Sequence, residues 1–144
     1  MAKISSEGIE IVERELQNID KNLRSTCMRE MLEAGADVLV ESWRNSIQAH
    51  GHVRTGTMMN NVGKTEVQME PDGMSIAVYP QGTDSHRVTN AQKAYILHYG
   101  RQANKNGRKE IKGDKFVTEA EQNAKRKVDA AMQAILDRYV SGKE

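Results

Sequence analysis

Residues 64–79 read Lys64-Thr65-Glu66-Val67-Gln68-Met69-Glu70-Pro71-Asp72-Gly73-Met74-Ser75-Ile76-Ala77-Val78-Tyr79. Two extended patterns, Lys64 to Met69 with Val67 and Met74 to Tyr79 with Ile76 and Val78, flank Glu70-Pro71-Asp72-Gly73. Proline presets φ for a turn and glycine accepts positive φ, so the stretch predicts a β-hairpin. Helical periodicity lies on both sides of it, and hairpin plus helices gives an α+β chain. The expected architecture is a long N-terminal helix or helix pair, a small antiparallel β-sheet, and a C-terminal helix packed across it.

Upstream, apolar residues recur at Ile9, Val12, Leu16, Ile19 and Leu23, the steps of one helix face, with Ser5 and Ser6 available as caps. A second stretch repeats the pattern at Met28, Met31/Leu32, Gly35, Val38/Leu39, Ser42/Trp43 and Ile47. Ser25-Thr26 suggests a break or kink, because both residues favour caps over helix interiors. The helical part ends near Ser46 to Ala49, where His50-Gly51-His52 follows. So narrow an apolar stripe must pack on a sheet or on another subunit.

Downstream, Pro80 to Asn90 is polar and reads as a loop. Asn90 then caps a short apolar piece closed by Gly100, read as a helix with a strand as the alternative. Residues 101–115 hold six Lys/Arg against Glu110 and Asp114, a local balance of +4. With two glycines and almost no apolar side chains, this segment predicts an exposed, mobile basic loop. The closing helix runs from about Val117 to Tyr139, its face formed by Phe116, Ala120, Ala124, Val128, Ala131, Ile135 and Tyr139. Residues 1–144 are expected to form one domain: a helical part to 49, a β-hairpin core with a short helix over 50–100, the basic loop over 101–115, and the helix over 116–140.

Composition bounds the function classes. The 144 residues are 38% hydrophobic, with one Phe, one Trp and four Tyr as large core pieces. A core so thin in aromatics predicts moderate stability alone and support from neighbours. Eight methionines suit adaptable interfaces but fit an ordinary helical core equally well. The net charge of +1 gives no global field for nucleic acid. Cys27 alone supports neither a disulfide framework nor a multi-cysteine metal site, and its helical setting predicts an inert thiol. There is no apolar run of about 18 residues. Met1 to Glu15 lacks a signal peptide's apolar centre, so a cytoplasmic location is expected.

Candidate chemistry is sparse. Val62-Gly63-Lys64-Thr65 resembles the tail of a phosphate-binding loop, but Met58 stands where the earlier Gly is needed and Gly56 lies too early. His50 and His52 are separated by one Gly without a placed carboxylate or third ligand, so capping or solvent-facing roles are expected over metal binding. Asp84-Ser85-His86 holds triad residue types, but adjacent residues on one loop do not make triad geometry. No catalytic residue, cofactor, metal or small-molecule substrate is expected. The basic loop, through Arg101, Lys105, Arg108, Lys109 and Lys112, is a candidate contact for DNA phosphates or another subunit. No aromatic interleaves those residues, which argues against base stacking.

Four landmarks stand in order: His52-Val53-Arg54-Thr55-Gly56, the Pro71-Asp72-Gly73 turn, Ala94-Tyr95-Ile96-Leu97-His98-Tyr99-Gly100, and Phe116-Val117 opening an Ala-rich helix. That order resembles the neck or tail-completion proteins (minor tail components) of tailed bacteriophages and prophages, over about residues 8–140. Arg54-Thr55-Gly56 corresponds to the family's Thr-Gly turn before an apolar position, here Met58 or Met59. Tyr95 to Gly100 resembles its apolar, acidic, aromatic, Gly segment, with His98 in place of the acidic residue and Arg101 in place of the following Thr. Phe116 resembles the aromatic that opens the closing helix, with Lys115 where Pro is usual.

The resemblance implies a virion structural protein without catalytic residues. Its subunits would form or join a ring at the head–tail interface, contacting themselves, the connector or portal-side ring, and tail proteins. DNA would pass through the channel; no membrane is involved. Assembly would take place in the host cytoplasm. The alternative is a DNA-associated or regulatory helical module using the basic loop, although no helix–turn–helix with a basic second helix is visible.

Overall fold

The structure, a computed structural model, describes residues 2–3 and 21–141. The expected apolar stripe at Ile9, Val12, Leu16 and Ile19 and the caps at Ser5 and Ser6 lie outside the described residues.

Helix α1 spans Lys21–Ala49, runs without interruption through Ser25 and Thr26, and stops inside the expected window. The expected break is therefore corrected. Ser25 and Thr26 are exposed, while the adjacent Cys27 and the following Met31, Leu32, Ala36, Leu39, Trp43 and Ile47 are buried on one face. Tertiary burial at about 1.5–3 kcal/mol for each large apolar side chain outweighs the weak local preference of two polar residues. The helix closes on a Schellman motif, with His52 N–H donating to Ile47 O at 2.9 Å and Gly51 N–H to Gln48 O at 3.1 Å.

Helix α4, Phe116–Val140, packs against α1 and the sheet, with α1 its main partner. The pair is antiparallel, since Ser46 near the end of α1 bonds Phe116 O while Glu30 near its start pairs with Arg138. Ser42 Oγ donates to Ala120 O and Ser46 Oγ to Phe116 O, each at 2.7 Å, so two α1 serines tie directly onto α4 carbonyls. At mid-length, a Cβ on Gly35 would come within 3.2 Å of Met132 and Val128, which is how closely the helices approach. The buried row of α4 is Phe116, Ala120, Ala124, Val128, Met132 and Leu136. Ala131, Ile135 and Tyr139, expected on that face, are only partly buried. An i+4 ridge held throughout is what a helix presents when it lies across its partner at an angle.

Between the two long helices come α2 (Thr57–Asn60), β2 (Val62–Lys64), β3 (Gln68–Glu70), β4 (Gly73–Ser75), β5 (Ala77–Pro80), α3 (Asn90–Tyr99), β6 (Gly100–Arg101) and β7 (Ile111–Lys112). A strand β1, Ala2–Lys3, and β2 flank β5 antiparallel in the order β1-β5-β2, with Ala2 opposite Val78 and Val62 opposite Pro80. The expected hairpin is present but divided into the β2–β5 ladder and a separate β3–β4 tip. Thr65 explains the division, because its Oγ1 accepts Ala77 N–H at 3.1 Å in place of a second backbone bond. Ile76 is buried beside this interruption.

The Tyr95 segment is the expected helix and not the alternative strand. Its cap is Thr89, whose Oγ1 accepts Gln92 N–H at 3.2 Å, and Asn90 instead is buried with Nδ2 donating to Gln81 O at 2.7 Å. Residues 101–115 are exposed along most of their length but contain structure that their composition hid. β6 and β7 form a hairpin with Gly100 opposite Lys112, turned by Asn104, whose Oδ1 accepts N–H from Asn106 and Arg108 at 3.0 Å. An Asx side chain satisfies such a turn locally without any core.

Candidate functional site

Three of the four sequence landmarks converge where α1 ends, α3 ends and α4 begins. Phe116 is fully buried at the first position of α4 and meets the Trp43 ring edge to face, centroids 5.9 Å apart. The chain enters α4 through Lys115 in the left-handed region, φ 57°. Two acceptors serve the first turn: Asp114 Oδ1 takes Phe116 N–H at 3.1 Å and His98 Nδ1 takes Val117 N–H at 3.2 Å. His98 is buried, and desolvation, followed by the charge of Lys115, holds its pKa below the usual imidazole value. Neutral His98 with Nδ1 as acceptor places its proton on Nε2.

His50 and His52 do not simply face solvent. Past the end of α1 their rings stack at 6.0 Å, and both reach carboxylates near the start of α4. His52 Nε2 lies 2.6 Å from Asp114 Oδ2, His50 Nδ1 lies 3.2 Å from the same oxygen, and His50 Nε2 contacts Glu119 Oε2. The Glu119 bond is the main reason that the His50 pKa is raised. His50 spends both ring nitrogens on carboxylates, which makes the cluster an ion-pair clasp. No group of three or more His, Cys, Asp or Glu among the described residues is placed to hold a metal ion.

Tyr95 and Tyr99 are 64% and 58% exposed, with ring centroids 4.8 Å apart on one face of α3. Lys115 Nζ sits 4.4 Å from the Tyr99 centroid, a cation–π contact. A pocket of about 530 Å³ opens beside them, with Trp43, Tyr79, His98 and Glu121 among its lining residues. The Trp43 indole N–H is buried and finds no acceptor among the described residues.

Gly100 follows Tyr99 directly, with φ 87°, and leads into the basic hairpin that carries Arg101, Lys105, Arg108, Lys109 and Lys112. Arg101 Nε donates to Lys109 O at 3.2 Å across it. Arg54 and Thr55 are exposed, and Gly56 turns the chain at φ 73° into α2, where Met58 is buried. The Thr-Gly turn thus leads into a short helix before the first strand of the hairpin.

The other motifs resolve into local structure. Val62–Lys64 is β2, and Lys64 pairs with Asp37 at 2.8 Å. Asp84 Oδ1 accepts N–H from His86 and Val88, and its Oδ2 pairs with Lys93 at 3.0 Å. Those bonds, Val88 first, hold the Asp84 carboxyl below its usual value. Cys27 is buried and its thiol pushed up by desolvation, as an inert cysteine would be. No helix among the described residues is long and apolar enough to cross a membrane.

No protein-family model, curated protein or solved structure matches the chain.

Sequence reasoning missed the partners Asp114 and Glu119 and the capping role of His98. One signal was available: Asp114 stands two residues before Phe116, the spacing at which an Asp side chain accepts a backbone N–H in an Asx turn.

Proposed function

We propose that this chain is a non-catalytic structural subunit of a tailed-phage or prophage virion, completing the neck or tail by ring assembly at the head–tail interface. The observation that carries the reading is the convergence of the landmark residues Tyr95, Tyr99, Gly100 and Phe116 on one junction with an exposed tyrosine pair and a pocket. The resemblance draws on the same residues. Exposed tyrosines beside a concave surface are the composition of protein contact sites, where aromatic anchors supply most of the binding energy. Self-association, binding to the connector side and binding to tail proteins would use such surfaces; assembly would occur in the host cytoplasm. Binding of the purified protein to connector or tail-tube proteins tests this. A protein that stays monomeric and binds neither contradicts it.

A second reading is favoured by the basic hairpin, whose Lys105, Arg108, Lys109 and Lys112 are all exposed. A DNA-associated module using that surface would shift DNA mobility in a salt-dependent way. Neutralising Arg101, Lys105, Arg108 and Lys109 together would abolish the shift.

A further inference from the structure

Two surfaces of this chain complement each other and belong to different parts of the fold. The first is the β3–β4 tip. Met69 there is 69% exposed, the most exposed of the large hydrophobic side chains among the described residues. Residues 65–80 around it carry Glu66, Glu70 and Asp72 and no Lys or Arg, a local charge of −3. The second is the pocket beside Tyr95 and Tyr99, next to the β6–β7 hairpin whose segment carries +4. Lys115, one of the cations in that balance, lies over the Tyr99 ring at the pocket's edge.

We infer that the Tyr95/Tyr99 pocket of one copy receives the Met69-bearing β3–β4 tip of the next copy. The inference rests on the ring-assembly reading and names its subunit contact. A methionine thioether packs favourably against aromatic rings and adapts to irregular pockets. The acidic tip against the basic hairpin supplies charge complementarity, which fixes register and speeds encounter. Trp43 and Tyr79 also line the pocket and add aromatic surface for the thioether. Met69 and the β3–β4 residues are not part of the pocket on their own copy, so the contact joins two different patches. Such head-to-tail contacts generate rings when the rotation closes.

The experiment uses the full chain with cysteines introduced at exposed positions, Met69→Cys in one preparation and Tyr95→Cys in another. Buried Cys27 remains in both as an internal control. Mixing the two under mild oxidation is expected to give a disulfide-linked pair containing one copy of each, absent from either preparation alone. Adding Glu66→Lys and Asp72→Lys to the Met69→Cys copy is expected to lower the yield at least about tenfold, since like charges then face each other. Adding Lys105→Glu and Lys109→Glu to the Tyr95→Cys copy is expected to restore it. Sedimentation of the wild type, run in parallel, separates the failures. Association without the Met69–Tyr95 link, or without charge rescue, overturns this contact and leaves ring assembly standing. No association and no link at millimolar protein overturns the second copy as the occupant, and binding to connector or tail proteins then decides the ring reading separately.

Discussion

Gly100 and Gly113 face each other so closely that neither strand end has room for a side chain. A Cβ on Gly100 would lie 2.5 Å from Ile111 O, and one on Gly113 would lie 2.4 Å from His98 O. This mutual approach joins the end of α3 to the return arm of the basic hairpin. It also sets where Asp114 and Lys115 enter α4, since Asp114 N–H bonds Leu97 O and Lys115 N–H bonds His98 O. Because the obstructing atoms are backbone, they cannot swing aside. Gly100→Ala or Gly113→Ala is expected to cost about 1–3 kcal/mol, the range for forcing extra atoms into a filled space. Thermal unfolding measured by circular dichroism checks it, with an unchanged midpoint for both variants as the contrary result.

Phe116 anchors the junction against Trp43, His52 and His98. Phe116→Ala is expected to destabilise by about 3–5 kcal/mol, and Phe116→Leu by clearly less because most of the volume is kept. Ser46→Ala removes one buried bond to Phe116 O and is expected to cost about 1 kcal/mol. Urea denaturation of the three variants should rank them in that order.

The histidine clasp predicts a pH dependence with a definite sign. Contact with Glu119 raises His50 above its ordinary 6.5. A raised folded-state value means that the stabilisation is complete below about pH 6.5, the unfolded value, and is lost as pH rises through the folded one. His50→Gln should therefore lower the melting temperature at pH 5.5–6 and have little effect at pH 8.5. His98, held low by burial, has the opposite sign: its contribution is present above 6.5 and is lost as pH falls. A His50→Gln deficit that grows towards alkaline pH would contradict the assignment.

Thr89 begins α3, the helix that displays the tyrosine pair. Thr89→Ala is expected to cost about 0.5–2 kcal/mol through loss of its bond to Gln92 N–H. Amide exchange should rise first at Ala91, Gln92 and Lys93. Protection unchanged at those three positions would show that the cap is dispensable.

Much of the fold was legible because it rests on periodicity. The α1 face from Met31 to Ile47, the turn at Pro71-Asp72-Gly73 and the apolar stretch ending at Gly100 all follow from side-chain spacing or turn chemistry. Other features depended on tertiary partners. The continuity of α1 through Ser25 and Thr26 depends on burial of Cys27 and Met31. The last turns of α4 bury Met132 and Leu136 because α1 lies across that ridge. The basic segment forms a hairpin because Asn104 closes its turn and Gly100 meets Gly113, contacts that charge counting does not register. The candidate site was half visible. Tyr95, Tyr99, Gly100 and Phe116 stand in the sequence as landmarks, whereas the clasp joins His50 to Glu119 across 69 residues of chain.

The proposed joining role between head and tail is tested most directly by electron microscopy of particles from a phage or prophage that carries this gene, with the gene disrupted. Full heads beside separate tails of normal length are the expected result, and tails of uncontrolled length would place the subunit at tail termination. Intact, infectious virions would contradict the account.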